Sequence, residues 1–267
     1  MKKFIKVLCV LMVIAIIITV VTFEVYDRRL IGQYEQLRTA AMQGGANAQY
    51  NLSLIYRDGQ HGLGGIRNIV TQDYERAMHW LRLSAEQGFA SAQVDLGIMY
   101  RDGRGVERDY EEAIYWLHLA AERDNVEAQK ALGFTYWAGP PDGEPDYEQS
   151  VYWFRLAAEQ GDAEAQNSLG FMYRHGFGVT RSNREAIHWF HLAAEQGYAG
   201  AQFNLGNMYH EGLGVARNYE QAVYWYRLAA EQGLREAQFN LGYMYWNGLG
   251  VPRSNRQARE WLRLADE

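Results

Sequence analysis

Cysteine is almost missing from the 267 residues: Cys9 is the only one. A disulfide framework and a cysteine-based zinc site are therefore excluded for everything beyond it. Proline is scarce too, and three of the four prolines fall within Gly139-Pro-Pro-Asp-Gly-Glu-Pro145. A basic surplus is also lacking. The net charge is −6; residues 1–29 hold five basic and two acidic side chains, +3, which leaves −9 for the remainder. Nucleic-acid affinity comes largely from Lys and Arg on phosphates, so nucleic acid is excluded as a partner. The acidic balance reads as an ordinary solvated surface. Catalytic motifs are missing as well. There is no Gly-x-Ser-x-Gly, no phosphate-binding glycine loop and no His-Glu-x-x-His, so no enzyme, cofactor or metal is expected.

Long apolar runs are absent with one exception. Residues 7–23 carry no charge for 17 residues, enough to span about 25 Å as a helix, at the short end for a membrane span. Lys2, Lys3 and Lys6 precede it, which places the N-terminus in the cytoplasm; Arg28 and Arg29 on the far side weaken that bias. The end of the run, Val20-Val-Thr-Phe-Glu-Val25, offers no small-x-small cleavage site. Residues 1–29 are expected to be an uncleaved signal anchor. The rest would then be a single-pass protein's periplasmic, or other extracytoplasmic or lumenal, part.

What fills the remainder is one pattern repeated. An anchor Gln recurs at 49, 93, 129, 166, 202 and 238, and an anchor Trp at 80, 116, 153, 189, 225 and 261; the Trp steps are 36, 37, 36, 36 and 36 residues. Repeats of that length mean a stacked array in which each unit touches its neighbours. The units are about 45–88, 89–124, 125–161, 162–197, 198–233 and 234–267, and 30–44 reads as a fragment of a preceding second helix. Each unit reads as helix A, loop, helix B. Helix A of the second unit runs from about Ala90 to Arg101, with Ala92, Leu96, Met99 and Tyr100 as its buried stripe. Gly97, Gly133, Gly170, Gly206 and Gly242 lie beside that stripe, where a missing side chain lets a neighbouring helix approach. Helix B opens on Asp73, Asp109, Asp146, Ser182, Asn218 and Ser254, and Glu or Gln three residues on predicts reciprocal capping boxes in five copies. The first unit carries eight extra residues within 60–71, read as a surface loop insertion.

The pattern Ala-x-Ala-Gln-x-x-Leu-Gly-x-x-Tyr-x-x-Gly-x-Gly-Val, followed by Ala-x-x-Trp-x-x-x-Ala-Ala-Glu-Gln-Gly, resembles the Sel-one-like repeat, a relative of the tetratricopeptide repeat. The resemblance covers about residues 45–267. It implies an all-α, right-handed α-α superhelix, or solenoid, of about six 36-residue helix-turn-helix repeats. It also implies an adaptor for protein complexes, of a kind common in the bacterial periplasm and the lumen of the endoplasmic reticulum. The cysteine-rich members linked to penicillin or peptidoglycan binding carry paired cysteines, which are absent here, so that activity does not transfer.

In the tetratricopeptide arrangement helix A lines the concave face. Helical arithmetic puts Tyr50, Leu54 and Arg57, then Val94, Ile98 and Arg101, then Lys130, Phe134 and Trp137 opposite the buried stripe. The later units supply Asn167, Phe171 and Arg174, then Phe203, Asn207 and His210, then Phe239, Tyr243 and Trp246. Many are large and aromatic where a solvated face would be polar, which points to a partner-binding groove; partial packing against helix B of the next unit is the other reading. Asn167, Asn204, Asn207 and Asn240 are suited to hydrogen-bond a peptide backbone. His188 and His191 stand three apart on helix B, but Tyr115, Tyr152 and Tyr224 and His118, Arg155 and Arg227 take their places elsewhere, so they read as a variable outer face.

The expected function is thus a membrane-anchored scaffold or adaptor holding a protein or peptide in its groove, as a regulator, assembly factor or toxin-immunity protein. The alternative is a cell-wall (peptidoglycan) binding protein or hydrolase, with aromatic groups stacking on sugars. A third expectation is self-association through the C-terminal repeat, Trp261-Leu-Arg-Leu-Ala-Asp-Glu267.

Overall fold

A computed structural model describes residues 29–61 and 68–266. The apolar run at 7–23, and with it the anchor expectation, lies outside these residues. Among the described residues no helix is long and apolar enough to cross a membrane. The described chain is an all-α solenoid of helix-turn-helix repeats, with thirteen helices and one small ribbon. Residues 29–42 form α1, the expected fragment of a preceding second helix. The helix A elements are α2 (Ala46–Asp58), α4 (Ala90–Asp102), α6 (Val126–Ala138), α8 (Ala163–His175), α10 (Ala199–Glu211) and α12 (Arg235–Asn247). The helix B elements are α3 (Tyr74–Glu86), α5 (Tyr110–Ala121), α7 (Tyr147–Glu159), α9 (Asn183–Glu195), α11 (Tyr219–Glu231) and α13 (Asn255–Asp266). The chain divides into two compact units at Ala120/Ala121.

The insertion in the first repeat is not only a loop. Gln60–His61 (β1) pairs antiparallel with Asn68–Val70 (β2), Gln60 opposite Val70 and His61 opposite Asn68. Ile69-Val70 supplies the β-branched pair that favours a strand over another helical turn. Val70 is buried and joins a core cluster with Ala41, Leu52, Tyr56 and Ala77.

All six expected N-caps form: the side chains of Asp73, Asp109, Asp146, Ser182, Asn218 and Ser254 each accept from the backbone N–H three residues on. The reciprocal half of the capping box does not follow. Each N-cap N–H instead donates to the carbonyl of the repeat's own helix A tyrosine, Tyr56, Tyr100, Tyr136, Tyr173, Tyr209 and Tyr245, at 2.7–3.1 Å. A backbone donor spent on the inter-helix turn is no longer open to the Glu or Gln side chain. That residue is then free for other work, and Glu112 accepts from the indole N–H of Trp116 at 2.8 Å.

Within a repeat, helix B nests into helix A at the glycine. A Cβ on Gly206 would stand 2.6 Å from a ring carbon of Tyr226, the residue after the anchor Trp. Leu117, Phe154, Phe190 and Leu262 fill the same recess over the corresponding glycines.

Between repeats, the anchor Gln does the joining. Gln49, Gln93, Gln166, Gln202 and Gln238 donate to the carbonyls of Ala41, Ala85, Ala158, Ala194 and Ala230 in the preceding helix, at 3.1–3.2 Å. The Gln that closes helix B of the same repeat then donates to the anchor's Oε1: Gln87 to Gln49, Gln160 to Gln129, Gln196 to Gln166 and Gln232 to Gln202, at 2.6–2.8 Å. The second repeat departs from this because Arg123-Asp124 replaces Gln-Gly. The buried Oε1 of Gln93 is left without a hydrogen bond, and Asp124 takes φ +58, the single positive-φ residue other than glycine among the described residues.

A second tie runs from helix B to the next helix A. Arg82, Arg155 and Arg227, two residues past the anchor Trp, donate to the hydroxyls of Tyr100, Tyr173 and Tyr245. Arg155 and Arg227 are thus more than the variable outer face that repeat-to-repeat substitution suggested. Removing one such bond with Tyr173→Phe is expected to cost about 1 kcal/mol, read as a small fall in the thermal midpoint.

Candidate functional site

The second unit sets four helix A elements, α6, α8, α10 and α12, with their open faces on one side. Asn204 of α10 donates to Asn167 of α8 at 2.9 Å, and Asn240 of α12 donates to Asn207 of α10 at 3.3 Å, so the faces touch through side chains. Three recesses lie along them. The first, about 170 Å³, brings Phe134, Trp137, Asn167 and Phe171 over a floor of Phe154 and Met172. The second, about 340 Å³, gathers Asn207, His210, Phe239 and Tyr243 with Glu211 and Tyr226. The third, about 480 Å³, joins Phe203, Phe239 and Asn240 to Arg235, Glu236 and Asp266.

Nine of the eleven expected groove residues therefore line a recess. Of the other two, Arg174 sits beside the second recess and bonds Glu211 at 3.3 Å, and Trp246 is 47% exposed without lining any of the three. Phe171, Phe239 and Tyr243 are also exposed, at 37%, 58% and 48%. The face is not uniform: some positions are packed and others open. Phe134 is partly buried edge-on against Phe154, 4.9 Å between ring centroids. Trp137 is held by Tyr147 at 5.0 Å and Phe177 at 5.3 Å. These two build the wall, while Phe239, Tyr243 and Trp246 stand open.

Sequence reasoning missed Phe177, His175 and Tyr147. Phe177 sits in the loop between the glycines, where Leu213 and Leu249 stand in later copies, and folds back onto Trp137 and Phe171. The aromatic replacement at that loop position was the available signal. His175 lies tilted against Phe171, 4.3 Å between ring centroids, and burial, with Arg174 and Arg181 nearby, lowers its pKa. Tyr226 donates its hydroxyl to Asn207 at 2.7 Å, and burial raises its pKa. Lys130 is not an open groove cation. Burial opposes its charge, but Glu127, Asp162 and Glu164, all within 3.4 Å, more than offset that and raise its pKa.

The first unit presents a different helix A face. Val94 is buried at 4% exposure rather than open, a correction to the helical arithmetic, which treats the helix as if it had one neighbour. Arg57 bonds Asp58 at 2.8 Å and Asp95 at 3.1 Å, and Tyr50 donates to Asp95 at 3.3 Å. Burial pushes the Asp95 carboxyl up, against the pull of Arg57. Arg101 pairs with Asp102 at 2.8 Å. This face is charged and internally paired, and the apolar groove belongs to the second unit. On helix B, His191 faces Glu195 at 3.2 Å while His188 packs on Trp189, so the two histidines do not converge.

The helix A and helix B pair recurs in six copies, the glycine recess in five and the glutamine-to-glutamine link in four. The Sel1 repeat profile matches residues 46–89, 90–125, 126–162, 163–198, 199–234 and 235–265. The chain belongs to the Sel1 repeat family. No functionally curated protein matches it. Among solved structures, a protective antigen present in uropathogenic Escherichia coli strains, displaying the same repeat fold, is 40% identical with a TM-score of 0.79. The match covers 87% of this chain and 48% of the antigen, so the chain spans about half the antigen's length. A Sel1 repeat protein from Oxalobacter formigenes is 31% identical, TM-score 0.73, over 93% of this chain and 96% of that one. An immunity protein from Pseudomonas aeruginosa shares the fold at 21% identity and a TM-score of 0.50, over 82% and 80% of the two chains. The protein is a Sel1-repeat helical scaffold.

Proposed function

We propose that this Sel1-repeat scaffold is a membrane-anchored adaptor that faces away from the cytoplasm and holds a protein partner in the helix A groove of its second unit. The observation that carries the proposal is the row of three recesses with Phe171, Phe239 and Tyr243 in their linings and Trp246 exposed on the same α12, side chains large, apolar and left in water. Clustered exposed aromatics of this kind mark interaction surfaces, since each offers much contact area for little rotamer entropy. The anchoring part rests on the charge-free run at 7–23 behind Lys2, Lys3 and Lys6. The similar E. coli protein, about half of which this chain matches, is a protective antigen, and that supports a position outside the cytoplasm.

The test is an in-cell crosslink and pull-down of the full-length protein, read by mass spectrometry. Its comparison is the triple variant Phe239→Ala, Tyr243→Ala and Trp246→Ala. These three rings are about half exposed, so their loss should leave the fold intact. A partner recovered with the parent and reduced at least tenfold with the triple variant is the expected result. Equal recovery by both would move the site elsewhere on the repeats.

A further inference from the structure

We infer that a recess between α2 and α4 in the first unit binds a compact zwitterion of the amino-acid type, its ammonium on Asp95 and its carboxylate on Arg104. The site is separate from the groove of the second unit and does not depend on it. The recess, about 120 Å³, is lined by Arg57, Asp58, Asp95 and Arg104, and Tyr74, Ile98 and Met99 complete it. Its charges are paired, but unevenly. In one group Arg57 bonds Asp58 at 2.8 and 3.0 Å and Asp95 at 3.1 Å, so one cation serves two carboxylates. In a second group Arg101 at 2.8 Å and Arg104 at 3.2 Å share Asp102, so one carboxylate serves two cations. The first group holds a surplus negative charge and the second a surplus positive one, and both reach the same recess.

Within the first group the open acceptor is on Asp95. Arg57 occupies both oxygens of Asp58. Arg57 and Tyr50 both donate to Oδ2 of Asp95, which leaves Oδ1 for an ammonium. Burial raises the Asp95 pKa against the pull of Arg57, so this carboxylate is under-compensated where it stands. In the second group Arg104 is the accessible member, 65% exposed, and a guanidinium has donors enough for a second carboxylate. A simple cation or anion would satisfy one group only. A molecule that carries ammonium and carboxylate a few atoms apart meets both, and Ile98 and Met99 suit a short apolar side chain.

Stacking of the repeats does not demand these charges. Arg57, Asp95 and Arg104 hold the repeat positions of Trp137, Ser168 and Phe177. In the second unit Trp137 and Ser168 line an apolar recess, and Phe177 packs edge-on against Trp137. Half-buried ion pairs carry a desolvation cost that ring packing avoids, so charge in this niche points to a ligand.

The test is ligand-observed NMR on the full chain, with glycine, L-alanine and D-alanine as probes. Ethylamine and propionate serve as analogues that keep one charge each. At least one of the three amino acids should bind, and each analogue at least tenfold more weakly. Asp95→Asn should weaken amino-acid binding at least tenfold. Because Asp95 also ties α4 to Arg57 of α2, the second variant is Arg104→Ala, which removes an exposed loop side chain and leaves that tie in place. It should weaken binding as much with an unchanged thermal midpoint. No binding by any of the amino acids up to about 10 mM, equal binding of a singly charged analogue, or parental affinity in Arg104→Ala would each overturn the inference.

Discussion

Replacing Gly178 with alanine is expected to destabilise the second unit by about 3 kcal/mol and lower its thermal midpoint by about 10 °C. Gly178 is the second glycine of the Gly-x-Gly loop, with φ +63, and its loop rests on the first turn of α7 one repeat earlier. A Cβ there would lie 2.2 Å from the carbonyl oxygen of Tyr147 and 2.8 Å from the amide nitrogen of Glu148. These are backbone atoms inside a helix and cannot swing away. Part of the cost, about 1–2 kcal/mol, is the left-handed conformation itself, and the rest is the displacement of one repeat from the next. Gly161→Ala separates the two: its φ is +94, but nothing lies within 4 Å of its Cβ position. Thermal melts followed by circular dichroism should place Gly178→Ala well below Gly161→Ala. Equal melting temperatures would mean that the loop does not bear on the preceding repeat.

The second large effect is expected at the ladder. Gln202→Leu should cost about 2–3 kcal/mol, because it leaves two groups short of a bond in a buried place. Gln202 is 4% exposed, donates to Ala194 and accepts from Gln232. Gln232 keeps bonds to Gly197 and Leu228, so the Ala194 carbonyl carries most of the loss. The same change at Gln93 should cost less by about 1 kcal/mol, since its Oε1 makes no hydrogen bond to begin with. Urea unfolding of the two variants measures the difference. A larger loss at Gln93 would show that the amide chain is not what couples the repeats. Repeat arrays owe much of their cooperativity to nearest-neighbour terms, so both variants should also broaden the transition.

These two sites show what a sequence can and cannot carry. Helices A and B, the N-caps and the recessed glycines were legible because each depends on residues a few positions apart. Asp146 and Gln149, or Tyr209 and Gly212, can be read off one repeat. The ladder was not legible in that sense. Gln202 stood out as invariant between copies, but its partners, Ala194 and Gln232, lie in other helices, and only the fold says which carbonyl faces which amide. The Arg155–Tyr173 tie was hidden for the same reason, and there His191 replacing Arg in the next copy made the position look merely variable. The groove lay between these cases. Helical arithmetic found Phe171, Phe239 and Tyr243 on an open face, yet it misplaced Val94 and did not show that Phe134 and Trp137 are partly packed against Phe154, Tyr147 and Phe177. A single helix cannot report that Phe177 folds over it from the following loop, or that a stacked neighbour closes one flank.

The central claim, that the helix A groove of the second unit is the partner-binding surface, is tested most directly by site-specific photo-crosslinking in cells. One protein carries a photo-reactive amino acid at Tyr243, in the groove on α12, and another carries it at Tyr224 on α11. The two sites are exposed to similar extents, 48% and 53%, so accessibility does not favour either. The account predicts a discrete protein adduct from position 243 and none of that mass from position 224. An adduct from 224 alone would put the working surface on helix B and contradict it.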